Sequence, residues 1–291
     1  MIVGHQKILN FLDKSIEKDT LVQAYLFSGP EHVGKFTVAK NFAQKLTDGE
    51  DKKINPDLVV IAPEIEEKKG IIKKKDIKIE QIRDLQKELS FSPYFGKYKI
   101  AIIDDADRLT TAAQNALLKT LEEPNEKNVI ILIVQNPDKI LPTIKSRCVV
   151  KKFNLVGDAE MAPMAGAEKN KQEIIFWSLG RPGLAWTFAD DPEEFMSRSF
   201  AKQEFEKIFP DNLSGRFALA ENLSKDVPAL IEKMDLWLVL LRENILRATA
   251  GSGLSPEKSL YLLEHIGESL KAIKETNAST RLVLENLFLV F

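Results

Sequence analysis

Gly29-Pro-Glu-His-Val-Gly-Lys-Phe-Thr37 is the stretch on which the fold turns. Its spacing is G-x-x-x-x-G-K, the pattern in which backbone N–H groups cradle phosphates and a lysine reaches their outer oxygens. The next position ordinarily carries a Ser or Thr hydroxyl that ligates Mg²⁺, and here it is Phe36. A phenyl ring has no oxygen to offer a hard cation. Gly29, Gly34, Lys35 and Thr37 therefore mark a phosphate-binding site that lacks one metal ligand.

The flanks give this loop its context. Residues 24–28 read as a short buried strand and residues 38–46 as a helix. A second motif follows in Lys99-Ile-Ala-Ile-Ile-Asp-Asp-Ala-Asp107, an apolar strand with an acidic end. Asp104 takes the position that faces a metal. Asp105 stands where a hydrolytic enzyme of this kind more often has Glu, so its carboxylate falls one methylene short. A glycine turn between a strand and a helix would account for the loop alone. The two motifs in this order argue for a degenerate nucleotide site instead. Lys35 then has two readings: weak binding of ATP and Mg²⁺ without hydrolysis, or a vacant site in which it pairs with Asp104 or Asp105.

Length and composition set the outer limits. A chain of 291 residues with 44% hydrophobic and 29% charged residues is expected to form two or three domains with ordinary cores. The formal charge of −2 argues against a broad electrostatic nucleic-acid binder, while leaving room for a local basic patch. The longest apolar runs, at 129–134 and 236–241, are only six residues long, so no membrane span is expected. The charged first 25 residues lack the core of a signal peptide. Cys148 is the single cysteine, which excludes an internal disulfide and a multi-cysteine zinc site and agrees with a cytoplasmic location.

Along the chain, residues 1–22 read as an amphipathic helix through Ile8, Leu9, Leu12 and Ile16. The charged opening at 48–53 leads to a strand at 57–61, then to a solvated loop or hairpin over 64–75. Helices are expected at 79–89 and 112–123, the second stopped by Pro124, with a buried strand at 128–134. Alternating helices and apolar strands imply a mostly parallel sheet covered on both faces. Strand signal disappears beyond Val156, and 161–167 reads as a linker. Short helices at 171–179 and 182–189 precede a helical region over 193–291, with breaks near Pro210, Pro228 and 251–253.

Five segments carry a family resemblance. Ile79-Glu-Gln-Ile-Arg-Asp-Leu-Gln-Lys-Glu-Leu89 comes first, then Asp105-Ala-Asp-Arg-Leu109 leading into Asn115-Ala-Leu-Leu-Lys-Thr-Leu-Glu-Glu-Pro124. Ile140-Leu-Pro-Thr-Ile-Lys-Ser-Arg-Cys148 and Thr280-Arg-Leu-Val-Leu-Glu-Asn-Leu287 complete the set. In this order they closely resemble bacterial clamp-loader subunits of the AAA+ class, of the delta-prime type in DNA polymerase III. The resemblance covers nearly the whole chain and is weakest over 156–176.

The resemblance implies a parallel-sheet P-loop domain at 1–156, a small helical lid at 157–192 and a helical collar for oligomerisation at 193–291. It implies a ring with delta and gamma/tau subunits that loads the beta sliding clamp onto primed DNA. Within it, Arg147 is the expected arginine finger, aimed in trans at a neighbour's γ-phosphate, where a planar and permanently charged guanidinium is suited to developing phosphoryl charge. In Gly180-Arg-Pro-Gly-Leu-Ala185, Gly183 occupies the position of the phosphate-sensing lid arginine of hydrolysing subunits, with Arg181 two residues away. Many relatives hold zinc with cysteines after the phosphate loop, and residues 47–57 contain none, so no zinc is expected.

Three features have plainer readings. Cys148 reads as a small buried hydrophobe, since no arrangement of His5, His32 or His265 suggests a triad. Lys68, Lys69 and Lys73 to Lys75 could touch DNA phosphate, but are interspersed with Glu64, Glu66, Glu67 and Asp76, as in a solvated loop. Leu236-Trp-Leu-Val-Leu-Leu241 is apolar around the helix and must be buried on several sides, by core or by partners. Two other functions compete with a clamp-loader stator. One is an autonomous P-loop ATPase or nucleotide kinase, the other a gamma-like motor subunit. Phe36, Asp105 and Gly183 argue against the first; a motor should also have Ser or Thr after Lys35.

Overall fold

The computed structural model describes residues 2–47, 55–68, 71–123, 125–164, 170–208, 212–247, 254–276 and 278–291. The features read from sequence at 48–53, Lys69, Pro124, 165–167, Pro210 and 251–253 lie outside the described residues. The chain divides into two compact units, Met1–Asp190 and Asp191–Phe291.

In the first unit α1 (Gln6–Glu17) precedes β1 (Ala24–Ser28), α2 (Lys35–Leu46) and β2 (Leu58–Ile61). An antiparallel hairpin, β3 (Ile65–Lys68) and β4 (Ile71–Lys74), leads to α3 (Ile79–Ser90) and β5 (Lys99–Ile103). Then come α4 (Thr111–Glu122), β6 (Asn128–Val134), α5 (Pro142–Lys145) and β7 (Val149–Lys152). Five strands form one parallel sheet in the order β2-β5-β6-β1-β7.

The twofold alternation of strand side chains sorts the apolar runs onto two faces. Leu26, Ala101, Ile103, Ile130 and Leu132 join a core with Ile82 and Leu85 of α3 and Leu117 of α4. Tyr25, Phe27, Ile100, Ile102, Ile131 and Ile133 join another with Leu12 of α1 and Val38 and Phe42 of α2. Burial on both faces explains why β1, β5 and β6 read as unbroken apolar runs. Parallel strands also place the loops after β1, β5 and β6 at one edge of the sheet, where ligand crevices form in such folds.

Some expectations need correction. Helix α2 begins at Lys35, directly at the loop, rather than at residue 38. The strand expected from residue 57 starts at Leu58. No sequence signal marks β7, a short edge strand whose residues alternate between half-buried and exposed. Within the expected linker, Met161 instead ends α6 (Asp158–Met161) and is fully buried, and Ala162–Met164 forms a 3₁₀ turn. Helices α7 (Lys171–Ser178) and α8 (Pro182–Asp190) complete the first unit.

The second unit is helical: α9 (Pro192–Ile208), α10 (Leu213–Leu223), α11 (Val227–Arg247), α12 (Pro256–Glu275) and α13 (Thr280–Leu289). Leu230, Met234, Trp237 and Leu241 share one stripe of α11 at helical spacing and are all buried. The indole Nε1–H of Trp237 donates to the Ala201 carbonyl at 3.1 Å, which satisfies the ring's only polar atom. The segment 236–241 is thus only partly enclosed: Trp237, Leu240 and Leu241 are buried, while Leu236, Leu238 and Val239 are half-buried.

Candidate functional site

The phosphate loop is shaped by two glycines, one held by close packing and the other by its backbone angle. Gly29 has φ 151°, and a Cβ there would meet the Phe153 carbonyl oxygen at 2.2 Å. Gly34 has φ 95° and caps α2 from the left-handed region. The loop is held from outside by His5, whose Nε2–H donates to the Val33 carbonyl at 2.9 Å while its ring packs on Phe153. Burial pushes the His5 imidazole below its ordinary pKa.

Of the two readings of Lys35, the ion pair with Asp104 or Asp105 is not formed. Its buried ammonium donates to the carbonyls of Gly29, at 2.6 Å, and Pro30. Desolvation lowers its pKa, and the charges of Asp104, Asp105 and Glu31 oppose that shift. The lysine therefore ties the loop to itself, because loop carbonyls lie nearer than the acids. Phe36 is exposed. Thr37 is exposed on α2 and lines a shallow hollow with Ile2, Lys40, Asn41 and Gln44, apart from the acids.

At the acidic end of β5, Asp104 turns inward and accepts the Asp105 amide N–H at 3.0 Å. Burial raises its pKa, with repulsion from Asp105 adding to the shift. Asp105, in the left-handed region at φ 47°, pairs with Lys74 of β4 at 2.6 Å. The same ammonium lies 3.4 Å from Glu31 of the phosphate loop. Gln135, just past β6, donates its side-chain amide to Glu31 and lies 3.5 Å from Asp105. Lys74, Glu31 and Gln135 do not stand out as site residues in the sequence, and Lys74 is not the freely solvated charge expected of that loop. Lys75 is also engaged, 3.6 Å from Glu64.

Helix α8 meets the phosphate loop directly. The Gly183 N–H donates to the His32 carbonyl at 2.8 Å. A Cβ on Gly183 would stand 2.9 Å from that same oxygen. Arg181 lines a cleft with Ser28, Pro30, Gln135, Asn136 and Lys152 beside the loop.

Arg147 sits at the other end of the sheet. Register pairs Val149 with Tyr25, so Arg147 lies near the start of β1, whereas the phosphate loop follows its end. At the usual rise per strand residue the two are about 20 Å apart. The guanidinium lies 2.8 Å from Glu122 and donates to the Thr143 carbonyl at 2.9 Å. Neighbouring Cys148 packs against the core, and burial pushes its thiol up to about 12, unsuited to nucleophilic work.

A further feature has no counterpart among the sequence motifs. The fully buried carboxylate of Asp57 accepts the backbone N–H groups of Tyr94 at 2.6 Å, Phe95 at 2.7 Å and Gly96 at 3.2 Å. Burial works to raise its pKa, but these bonds and the nearby Lys99 outweigh it and the net shift is downward. The turn so held presents Phe91, Tyr94 and Phe95 to solvent.

A five-stranded parallel sheet in this order, with a G-x-x-x-x-G-K loop after one strand and an acidic end on another, defines a P-loop domain of the AAA+ class. The sequence model of the family described as DNA polymerase III, delta subunit, matches residues 4–156, and the chain belongs to that family. The DNA polymerase III subunit delta' of Bacillus subtilis is 36% identical over 162 residues, covering 50% of this chain and 46% of that protein. Subunit gamma/tau of Mycobacterium tuberculosis is 31% identical over 182 residues, covering 60% of this chain and 32% of that protein. The chain thus aligns with less than half the length of these relatives. A DNA polymerase III gamma subunit-related protein from Thermotoga maritima shares the fold, with TM-score 0.52, 24% identity and 97% of each chain covered. Among the described residues, no helix is long and apolar enough to cross a membrane.

Proposed function

We propose that this chain is the delta-prime subunit of a bacterial clamp loader. It is a non-hydrolysing member of a cytoplasmic ring with delta and gamma/tau subunits, which opens the beta sliding clamp and sets it on primed DNA. Any nucleotide it holds is bound weakly and is not turned over. The observation that carries the reading is the placement of Arg147 at the opposite end of the strands from its own phosphate loop. An arginine so placed is out of reach of its own phosphate loop, which supports service to a neighbour's γ-phosphate. Exposed Leu260, Tyr261, Leu282 and Leu289 in the helical unit fit an oligomerising collar.

The test is Arg147→Ala in the assembled complex. The variant should fold and assemble, because Arg147 fills no core site, while clamp-stimulated ATPase drops. An arginine finger is worth roughly 10³–10⁵ in rate at one site, and the whole ring loses less because only one ATP site borders this subunit. Arg147→Lys should rescue poorly, since an ammonium cannot reproduce the planar fork. Unchanged ATPase and clamp loading in an assembled Arg147→Ala complex would overturn the trans role.

A further inference from the structure

Phosphate loops of this class work with a divalent cation held between the loop, its hydroxyl residue and the acidic strand end. The donor set here does not fit one. Phe36 contributes no oxygen. Asp104 accepts the backbone N–H of its neighbour. Glu31 and Asp105 both face the same ammonium, that of Lys74, at 3.4 and 2.6 Å. The amide of Gln135 occupies a further face of Glu31.

Lys74 is not brought there by a loose side chain alone. Its own carbonyl accepts from the Arg108 guanidinium at 2.9 Å, and the next residue's N–H donates to the Glu64 carbonyl at 2.8 Å. Three residues on, Ile77 is stitched on both sides to the segment after β5, its N–H donating to Arg108 at 3.0 Å and its carbonyl accepting from Thr110 at 3.1 Å. The base of the hairpin is therefore sewn to the same segment that carries Asp105. Four elements, the phosphate loop, β4, the end of β5 and the end of β6, converge on one fixed positive charge.

We infer that Lys74 is the resident cation of this site, a tethered ammonium that takes the place of the divalent ion and excludes it. A metal ion entering would have to displace an ammonium already paired with two carboxylates and would be repelled by its charge. The hairpin thereby makes the site metal-independent, whatever the ring role of the chain. This role for Lys74 follows from the phosphate-loop geometry and not from clamp loading.

The experiment is Mn²⁺ binding to the full chain, followed by loss of the free-ion EPR signal. The wild type should show no site tighter than millimolar. Lys74→Met, which keeps the stem and removes the charge, should gain one site at least 10-fold tighter. Lys74→Met with Asp105→Asn should lose it again, and Lys74→Arg should behave as wild type. Circular dichroism checks that each variant is folded, and Lys74→Ala repeats the measurement if Lys74→Met is not. A wild-type Mn²⁺ site that Asp105→Asn removes would overturn the inference, as would a folded charge-free variant that binds no more tightly than wild type. Either result would leave a silent ATPase and the clamp-loader role standing.

Discussion

The N–H of Gly183 and the carbonyl of His32 form a 2.8 Å hydrogen bond, so the first turn of α8 rests on the phosphate loop itself. Contact this close leaves no room for a side chain. Gly183→Ala would set its Cβ 2.9 Å from a backbone oxygen, and backbone must shift to relieve it. We expect a loss of about 1–3 kcal/mol in urea denaturation, and Gly183→Arg, although it supplies a lid arginine, should be at least as destabilised. Wild-type stability in either variant would show that lid and loop are not in contact.

ATP turnover by the isolated chain should stay below about 1 s⁻¹, the low end of ordinary enzymes. Phe36→Thr alone should not raise it into that range. A hydroxyl restores one ligand, but Lys35 still bonds to Gly29 and Pro30 and Lys74 still pairs with Asp105. A coupled ATPase assay at saturating Mg²⁺ decides the matter.

Affinity of the isolated chain for duplex DNA should be weak and insensitive to Lys74→Ala with Lys75→Ala. Both ammonium groups already lie against carboxylates, at 2.6 and 3.6 Å, and the net charge is −2. Fluorescence anisotropy across a salt series would show any contribution as a change of slope.

Stability should depend on pH through His5. Its folded pKa lies below 6.5, so the neutral form is favoured on folding. As pH falls through 6.5 the unfolded chain takes up a proton before the folded one does, and stability drops until the folded pKa is passed. The contribution is fully present above 6.5. Melting temperatures between about pH 7.5 and 5.5 should show the fall, and His5→Gln should flatten it.

Asp57→Asn should cost about 2–4 kcal/mol, since three N–H groups lose a charged acceptor inside the protein. Because the folded pKa of Asp57 is depressed, its contribution is present above the ordinary aspartate range near 4 and disappears as pH falls through the folded value. Acid titration of wild type against Asp57→Asn should show the two curves converging below that range.

Much of the frame was legible because it is local. β1 and β6 declare themselves as apolar runs, and Gly29 and Gly34 stand at fixed spacing from Lys35. What escaped depends on pairing between distant residues. Val149–Lys152 is too short, and too evenly divided between Val and Lys, to show a strand's pattern before β1 supplies its partner. Lys74 looks like any lysine in a charged run until the hairpin places it on Asp105, 31 residues further along. For Lys35 the sequence offers phosphates or acids as partners, and only the closed shape of the loop shows that carbonyls lie nearer. Asp57 reads as the first residue of a strand, and its acceptor role needs the turn 37 to 39 residues away.

The carboxylate of Asp57 holds its turn through backbone groups alone. The bend and the rings displayed on it are thus written in different residues. What Asp57 grips is the three N–H groups, and Tyr94, Phe95 and Gly96 would each present theirs whatever side chain stood at the position. A surface built this way can change what it touches while keeping where it stands.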